Sequence, residues 1–420
     1  MKASPAQLRW QQLEFGIFIH FGINTFAGKE WSDGTVSPSL FNPVDFDAGS
    51  WVRVAKDAGA RYLILTAKHH DGFCLWPSST TDYSVAASPW RGGSGDVVRS
   101  VADACADFGL GFGVYLSPWD RNAACYGDPA AYDSFYARQL TELCTGYGPL
   151  MELWFDGAGS VGRSYDWDRI MAVVHEHQPD AMVFNMGQPT IRWVGNENGL
   201  AADPVQYVVD QTLDSQYTES SSTLTARYLP PECDVSLRRG WFWHPDDEPK
   251  STEHLLAIHH QSVGMGANLL LNLPPDTRGL IPVEDQTRLR EWKAELDRRL
   301  SGAVEAALEH HDDGSVTMRF PTPVTFNYVE LVEDLGSGQR ITRHSVTHDG
   351  GTHDGGEVAT GLTVGNRRLH QVPVTTAIGL RVFLSGPGAV LASARVYTGA
   401  LDASPPRIPE GYEAPTDAPE

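Results

Sequence analysis

The chain has 420 residues, 41% hydrophobic and 20% charged, an ordinary globular composition and more chain than one hydrophobic core normally serves. Its formal net charge of −21 lacks the basic footprint that binding to nucleic acid or an anionic membrane requires. The acidity does not by itself call for a cationic substrate, because surplus carboxylates coat a solvated surface.

In chain order, apolar runs alternate with amphipathic segments. Residues 15–19 read as a strand leaving into His20-Phe21-Gly22, and 51–58 as a helix. Residues 61–67 read as a second strand, exiting into Lys68-His69-His70-Asp71-Gly72. A helix over 97–108 carries Val98, Val101 and Cys105 on one face. Then come a strand over 111–116, a helix over 132–144, a strand over 151–155, a helix over 167–177 and a strand over 182–185. Between 186 and 266 the pattern blurs, with a strand over 230–237 and a helix over 253–263. Residues 268–273 form a buried strand, and the helix over 283–300 sets Leu289, Trp292, Leu296 and Leu300 in one stripe. Seven or eight parallel strands separated by helices predict an α/β fold, a (β/α)8-type barrel over residues 1–302. Short alternating runs spaced by Gly, Asp and Pro then predict a C-terminal antiparallel β-sandwich over 303–400, with a loop at 348–356. The Pro-rich, acidic residues 401–420 read as a frayed tail.

Five scattered cysteines without a CxxC pair fit free buried thiols in a reducing compartment. The N-terminus shows no apolar signal core and no run is long enough to span a membrane, so the expectation is a cytoplasmic chain. Twelve Trp suit a core and also stacking on the apolar faces of sugars.

Strand exits face the open end of such a barrel, where its chemistry resides. The run 151–155 ends on Asp156-Gly157, which places a carboxylate at a pocket floor with Trp154 on the same strand face; the competing reading is an Asp that merely starts a turn. His20, His69 and His70 leave earlier exits, and Glu30-Trp31 sits in the loop after the first strand. A single histidine at a strand end is more commonly structural, and it is their convergence that points to a hydroxylated ligand. Adjacent on a strand, His69 and His70 point to opposite faces and do not chelate one ion. With no HExxH motif either, no metal or other cofactor is expected.

Several segments together resemble the α-L-fucosidases of glycoside hydrolase family 29. They are Phe15-Gly16-Ile17-Phe18-Ile19-His20-Phe21-Gly22, Glu30-Trp31, Ala67-Lys68-His69-His70-Asp71-Gly72-Phe73 and Trp154-Phe155-Asp156-Gly157-Ala158. Arg192 to Gly199, Glu232 to Arg238, Gly240-Trp241-Phe242 and Ser262 to Asn272 extend the similarity, which runs in order over roughly residues 10 to 300. Phe21 stands where many relatives carry Trp.

The resemblance implies a retaining, exo-acting enzyme that takes terminal fucose from an oligosaccharide or glycoconjugate, with Asp156 as nucleophile. In the subfamily selective for α-1,3/1,4 branches the acid/base is the glutamate of the Asn-Glu-Asn-Gly segment, here Glu197; Glu232 is the alternative. His20, Glu30, Trp31, His69 and His70 match positions that hold fucose hydroxyls. Trp154 and one of Trp241 or Trp243 match the walls that accept the C5 methyl. Tyr115 reaches the site if its strand is phased inward. Arg192 pairs with Asp156, meets a hydroxyl or bridges surface acids. A fucosidase of broad linkage specificity and a catalytically retired fucose-binding protein remain alternatives.

Overall fold

The strand-like runs of the first 300 residues look uniformly apolar, yet alternate side chains serve two different surroundings. In the computed structural model, which describes residues 1–160, 162–209, 226–349 and 356–412, eight parallel strands form one sheet. They are β1 (Phe15–Ile19), β2 (Tyr62–Lys68), β3 (Gly111–Leu116), β4 (Glu152–Trp154), β5 (Met182–Phe184), β6 (Arg192–Trp193), β7 (Pro231–Ser236) and β8 (Asn268–Asn272). Their order is β5-β4-β3-β2-β1-β8-β7-β6, and a parallel bridge between Phe184 and Ile191 brings the two ends together as a barrel. One set of side chains (Ile17, Leu63, Leu65, Val114, Leu153, Val235, Leu271) packs outward in the core beneath the helices. The alternate set (Phe18, Tyr62, Ile64, Tyr115, Trp154, Phe184, Leu270) fills the barrel interior.

The outer layer holds α1 (Ala48–Asp57), α2 (Val97–Phe108), α3 (Pro129–Gly146), α4 (Trp167–His177), α5 (Thr252–Gln261) and α6 (Val283–Arg299). Asp47, Asp96, Asp128, Asp166 and Ser251 each accept the backbone N–H three residues on, the N-cap bond that fixes where these helices begin. Asp128-Pro129 accounts for α3 starting three residues before the predicted 132, because proline is preorganised for the first helical position. The strand β6 was not anticipated; it has two residues and follows β5 without an intervening helix. Among the described residues no helix is long and apolar enough to cross a membrane.

The bottom of the barrel is closed by a short helix, Pro5–Gln11, whose Trp10 enters the interior cluster and donates its indole N–H to Glu152 at 2.9 Å. Two glycines make room at this level. A Cβ on Gly16 would stand 2.4 Å from the Tyr62 ring, and one on Gly113 would stand 2.5 Å from Ile64 and 2.6 Å from the Glu152 carbonyl.

After the barrel, β9 (Ala303–Glu305), β10 (Ala307–His310), β11 (Ser315–Glu333), β12 (Arg343–His348), β13 (Glu357–Gly361), β14 (Arg368–Ser385) and β15 (Leu391–Tyr397) pair antiparallel around a second core, the expected sandwich. The predicted runs 316–320 and 324–332 are one strand, β11, whose register against β14 shifts between Arg319 and Val324. Its first half pairs with β10 and its second with β15, so a single strand serves both parts of the sandwich. Arg367 joins the two structures, reaching Glu14 at 2.9 Å and Glu330 at 3.1 Å. His348 ends β12, and residues 350–355 of the predicted loop lie outside the described residues. Of the predicted tail, 413–420 also lie outside them, whereas 401–412 are docked rather than frayed. Asp402 pairs with Arg298 at 2.9 Å, and Tyr412 packs edge-on against His254.

The packing at Gly16 has a measurable consequence. Gly16→Ala is expected to destabilise the protein by about 1–3 kcal/mol through overpacking against Tyr62. Gly127→Ala, whose new Cβ meets nothing within 4 Å, is expected to stay within about 0.5 kcal/mol. Chemical denaturation of the two variants checks the contrast.

Candidate active site

The carboxyl ends of the barrel strands open into a cavity of about 830 Å3, counting its mouth. Asp156 stands immediately beyond β4. Its Oδ1 accepts the Ala158 N–H at 2.8 Å, so the turn-forming role is real, while Oδ2 accepts the Tyr115 hydroxyl at 2.9 Å and faces the cavity. Glu197 enters from the loop after β6, where Asn196 Oδ1 accepts the Asn198 N–H at 3.1 Å and holds the turn that presents it. Its Oε2 accepts the Trp241 indole N–H at 3.2 Å. Burial raises the Glu197 carboxyl to about 7; the indole opposes that shift, and the charges of Asp156 and Glu30 add to it.

The histidines are neutral acceptors. Burial lowers His20 to about 3 and His70 to about 4, and drives His69 well below its ordinary value. Asn272 Oδ1 accepts from both the backbone N–H of His20 (3.1 Å) and its Nδ1 (2.9 Å), which leaves Nε2 as a lone pair. Ser117 has one proton and gives it to the Trp119 carbonyl at 2.7 Å, so the 2.6 Å contact from His70 Nδ1 carries the imidazole hydrogen. His70 Nε2 then lies 3.6 Å from Asp156 Oδ2 as one acceptor beside another. The spacing resembles an ion pair, but with the imidazole kept neutral by burial both atoms face the cavity as hydrogen-bond acceptors.

His69 and His70 depart from the expectation that they diverge. A register break between Thr66 and Lys68 ends the regular alternation of β2. Lys68 turns to Asp120 (2.9 Å) and to Gln139 of α3 (3.0 Å), while both imidazoles face the cavity with ring centroids 4.1 Å apart. Among the described residues no group of three or more His, Cys, Asp or Glu is arranged to hold a metal ion.

The cavity gathers His20, Glu30, Trp31, His69, His70, Tyr115, Trp154, Asp156, Glu197 and Trp241 from the residues singled out in the sequence. Three others fall elsewhere. Arg192 neither meets Asp156 nor lines the cavity; it donates to the carbonyls of Trp193 (3.3 Å) and Gln206 (3.0 Å), because on two-residue β6 it is the neighbour, Trp193, that faces inward. Trp243 lies off the cavity, which leaves Trp241 as the indole of that segment. Glu232 is sealed below the cavity in the barrel, accepting from Tyr62 (2.7 Å) and from the Trp154 indole (2.9 Å). Trp154 is further fixed by stacking on Phe184 at 3.7 Å. Glu232 therefore orders a wall and does not reach a ligand.

Trp193, Asp234, Phe18, Phe184 and Asn185 also line the cavity and were not anticipated. Asp234 was legible as the residue two after Glu232, in the same strand phase. Asn185 takes φ 66°, the left-handed region that asparagine tolerates better than most residues.

Cleaving a glycosidic bond by acid/base chemistry requires two carboxyl groups that hold their protons unequally across a sugar-sized cavity. Asp156 and Glu197 present two carboxyl groups to one cavity walled by indoles and imidazoles, an arrangement suited to that chemistry, and the protein is a glycoside hydrolase. Comparison with known proteins makes the assignment particular. The Alpha-L-fucosidase family model matches residues 1–297. The chain is 39% identical over 408 residues to Alpha-L-fucosidase 1 of Arabidopsis thaliana, covering 87% of this chain and 81% of that one. It superposes with TM-score 0.85 and 34% identity on a glycoside hydrolase 29 family member from an unknown rumen bacterium, over 95% of this chain and 77% of the other. A Ruminococcus gnavus GH29 fucosidase in complex with fucose gives TM-score 0.83 at 28% identity, over 95% of both chains. The chain belongs to the α-L-fucosidase family, glycoside hydrolase family 29.

Glu30 organises one edge of this site, accepting the backbone N–H of Trp241 at 2.9 Å and that of Phe242 at 3.3 Å. Glu30→Ala is expected to speed hydrogen exchange of those two amides by about 10-fold, the weight of a bond to a carboxylate. Exchange mass spectrometry of the 238–244 segment reads the change.

Proposed function

We propose that the protein is a retaining, exo-acting α-L-fucosidase in which Asp156 is the nucleophile and Glu197 the acid/base. The observation that carries this reading is that Glu197 faces the same cavity as Asp156, where burial pushes its carboxyl up to about 7, while Glu232 is sealed in the barrel beneath them.

In the first step an Asp156 carboxylate oxygen bonds to the anomeric carbon as the glycosidic C–O bond breaks, and the Glu197 proton passes to the departing oxygen. Glu197, now ionised, takes a proton from water, whose oxygen attacks the same carbon and releases Asp156; the acid/base is left protonated as it began. The Nε2 lone pairs of His20 and His70 accept sugar hydroxyls, and Phe18, Trp154 and Phe184 supply the apolar surface that a C5 methyl needs in place of a hydroxymethyl group. The fucose bound by the Ruminococcus gnavus relative supports the choice of sugar. The similarity of Asn196-Glu197-Asn198-Gly199 to the subfamily acting on α-1,3/1,4 branches supports Lewis-type glycans as substrates.

Azide assigns the two roles. Asp156→Ala is expected to lose roughly 10^4-fold or more of kcat and to form fucosyl azide of inverted configuration. Glu197→Ala is expected to lose about 10^2–10^4-fold, most with poor leaving groups, and to form azide of retained configuration. Glu197 must be protonated in the first step, so kcat/KM of the unmodified enzyme falls as pH rises through about 7, and this limb disappears in Glu197→Gln. A panel of α-1,2-, α-1,3-, α-1,4- and α-1,6-fucosides tests the linkage, and equal rates across it would overturn the branch preference.

A further inference from the structure

Trp241 carries three polar groups, and each is bonded to a different part of the site. Its backbone N–H donates to Glu30 Oε2 at 2.9 Å, and its carbonyl accepts from Asn272 Nδ2 at 2.8 Å. Its indole N–H donates to Glu197 Oε2 at 3.2 Å. The other end of the Asn272 amide orients His20, and the indole lies over the His20 ring at 5.0 Å. A side chain serving only as an apolar wall would not need its N–H aimed at a half-buried carboxyl, nor a backbone held from both sides.

We infer that Trp241 is a positioning residue for the acid/base step, its indole N–H anchoring one oxygen of Glu197 so that the other carries the proton toward the substrate. An indole can only donate, so Oε2 accepts here, and because the carbonyl oxygen of a neutral carboxyl accepts better than its hydroxyl, the bond favours the hydrogen on Oε1. When Glu197 ionises, the same N–H stabilises the carboxylate, which must persist until water is activated. Among the described residues, the titratable groups whose charges act on Glu197 are Asp156 beyond β4, Glu30 from the loop after β1, Asp234 on β7 and Tyr412 from the docked C-terminal segment. All four are acids, so the indole is the donor set against them. The backbone bonds to Glu30 and Asn272 fix the indole, and so tie the sugar-holding residues to the orientation of the proton donor.

This inference rests on Glu197 being the acid/base, and the test separates the two. Trp241→Phe keeps an aromatic wall and both backbone bonds; placing 3-benzothienylalanine at position 241 also keeps the volume and removes only the N–H. Without the donor, the alkaline limb of kcat/KM is expected to move up by about half to one pH unit in the benzothienylalanine enzyme. The rate loss there should be larger for substrates with poor leaving groups. In Trp241→Phe, water admitted by the smaller ring lowers the limb, so the isosteric variant decides. An unmoved or lowered limb in that variant, with only KM raised, would show that Trp241 is a wall and overturn the inference. If Glu197→Gln itself retains the limb, the assignment of the acid/base fails instead.

Discussion

Carboxyl groups that share an enclosed cavity without a cation cannot all be ionised at once, and the site depends on that constraint. Among the described residues, no lysine or arginine lines the cavity, while Glu30, Asp156, Glu197 and Asp234 all line it. Ionising each further acid costs both desolvation and repulsion, so protons stay on some of them at neutral pH. Asp156 accepts from Tyr115 and a backbone N–H, whereas Glu197 has one indole opposing its burial. Histidines kept neutral by the same burial add acceptors without adding charge.

The barrel interior supports this arrangement from below. Trp10 bonds Glu152, and the Trp154 indole bonds Glu232. Burial and the charge of Glu232 raise Glu152 well above the carboxylate range, so this interior acid is neutral. Trp154 is thereby held at its N–H by Glu232 and on its face by Phe184, which makes the pocket wall rigid before any ligand arrives. On the outer side, Lys68 spans Asp120 and α3, which fixes the two exits that carry His69, His70 and Trp119. Polar groups inside the barrel thus serve the site through orientation, and the apolar layer under the helices provides the stability.

Much of the site was legible because barrel chemistry collects at strand exits. Asp156, His20, His69 and His70 could be placed from the apolar run that precedes each. One part was not legible because alternation was carried past the end of a regular strand. It separated His69 from His70, although the break at Thr66 brings both inward. Strand β6 was not anticipated at all, so nothing set the phase by which Trp193, and not Arg192, faces the cavity. Glu232 and Glu197 were competing candidates because two glutamates in polar surroundings look alike in one dimension. Depth separates them, since one lies within a strand at the level of Tyr62 and the other in a loop above.

By itself the sequence determined the alternation of strand and helix, the sandwich that follows, the exits that bear functional groups and, through ordered motifs, the family. These are local properties, carried by apolar periodicity, caps and turn residues within a few positions of one another. The tertiary structure alone decided which carboxyl shares a cavity with Asp156, which imidazole nitrogens remain as acceptors, and that Trp241 is bonded to Glu30, Asn272 and Glu197 together. Those outcomes depend on distance and burial between residues up to about 250 positions apart, as for His20 and Asn272. Proton affinity follows from the three-dimensional surroundings of a group, and no local pattern in the chain encodes them.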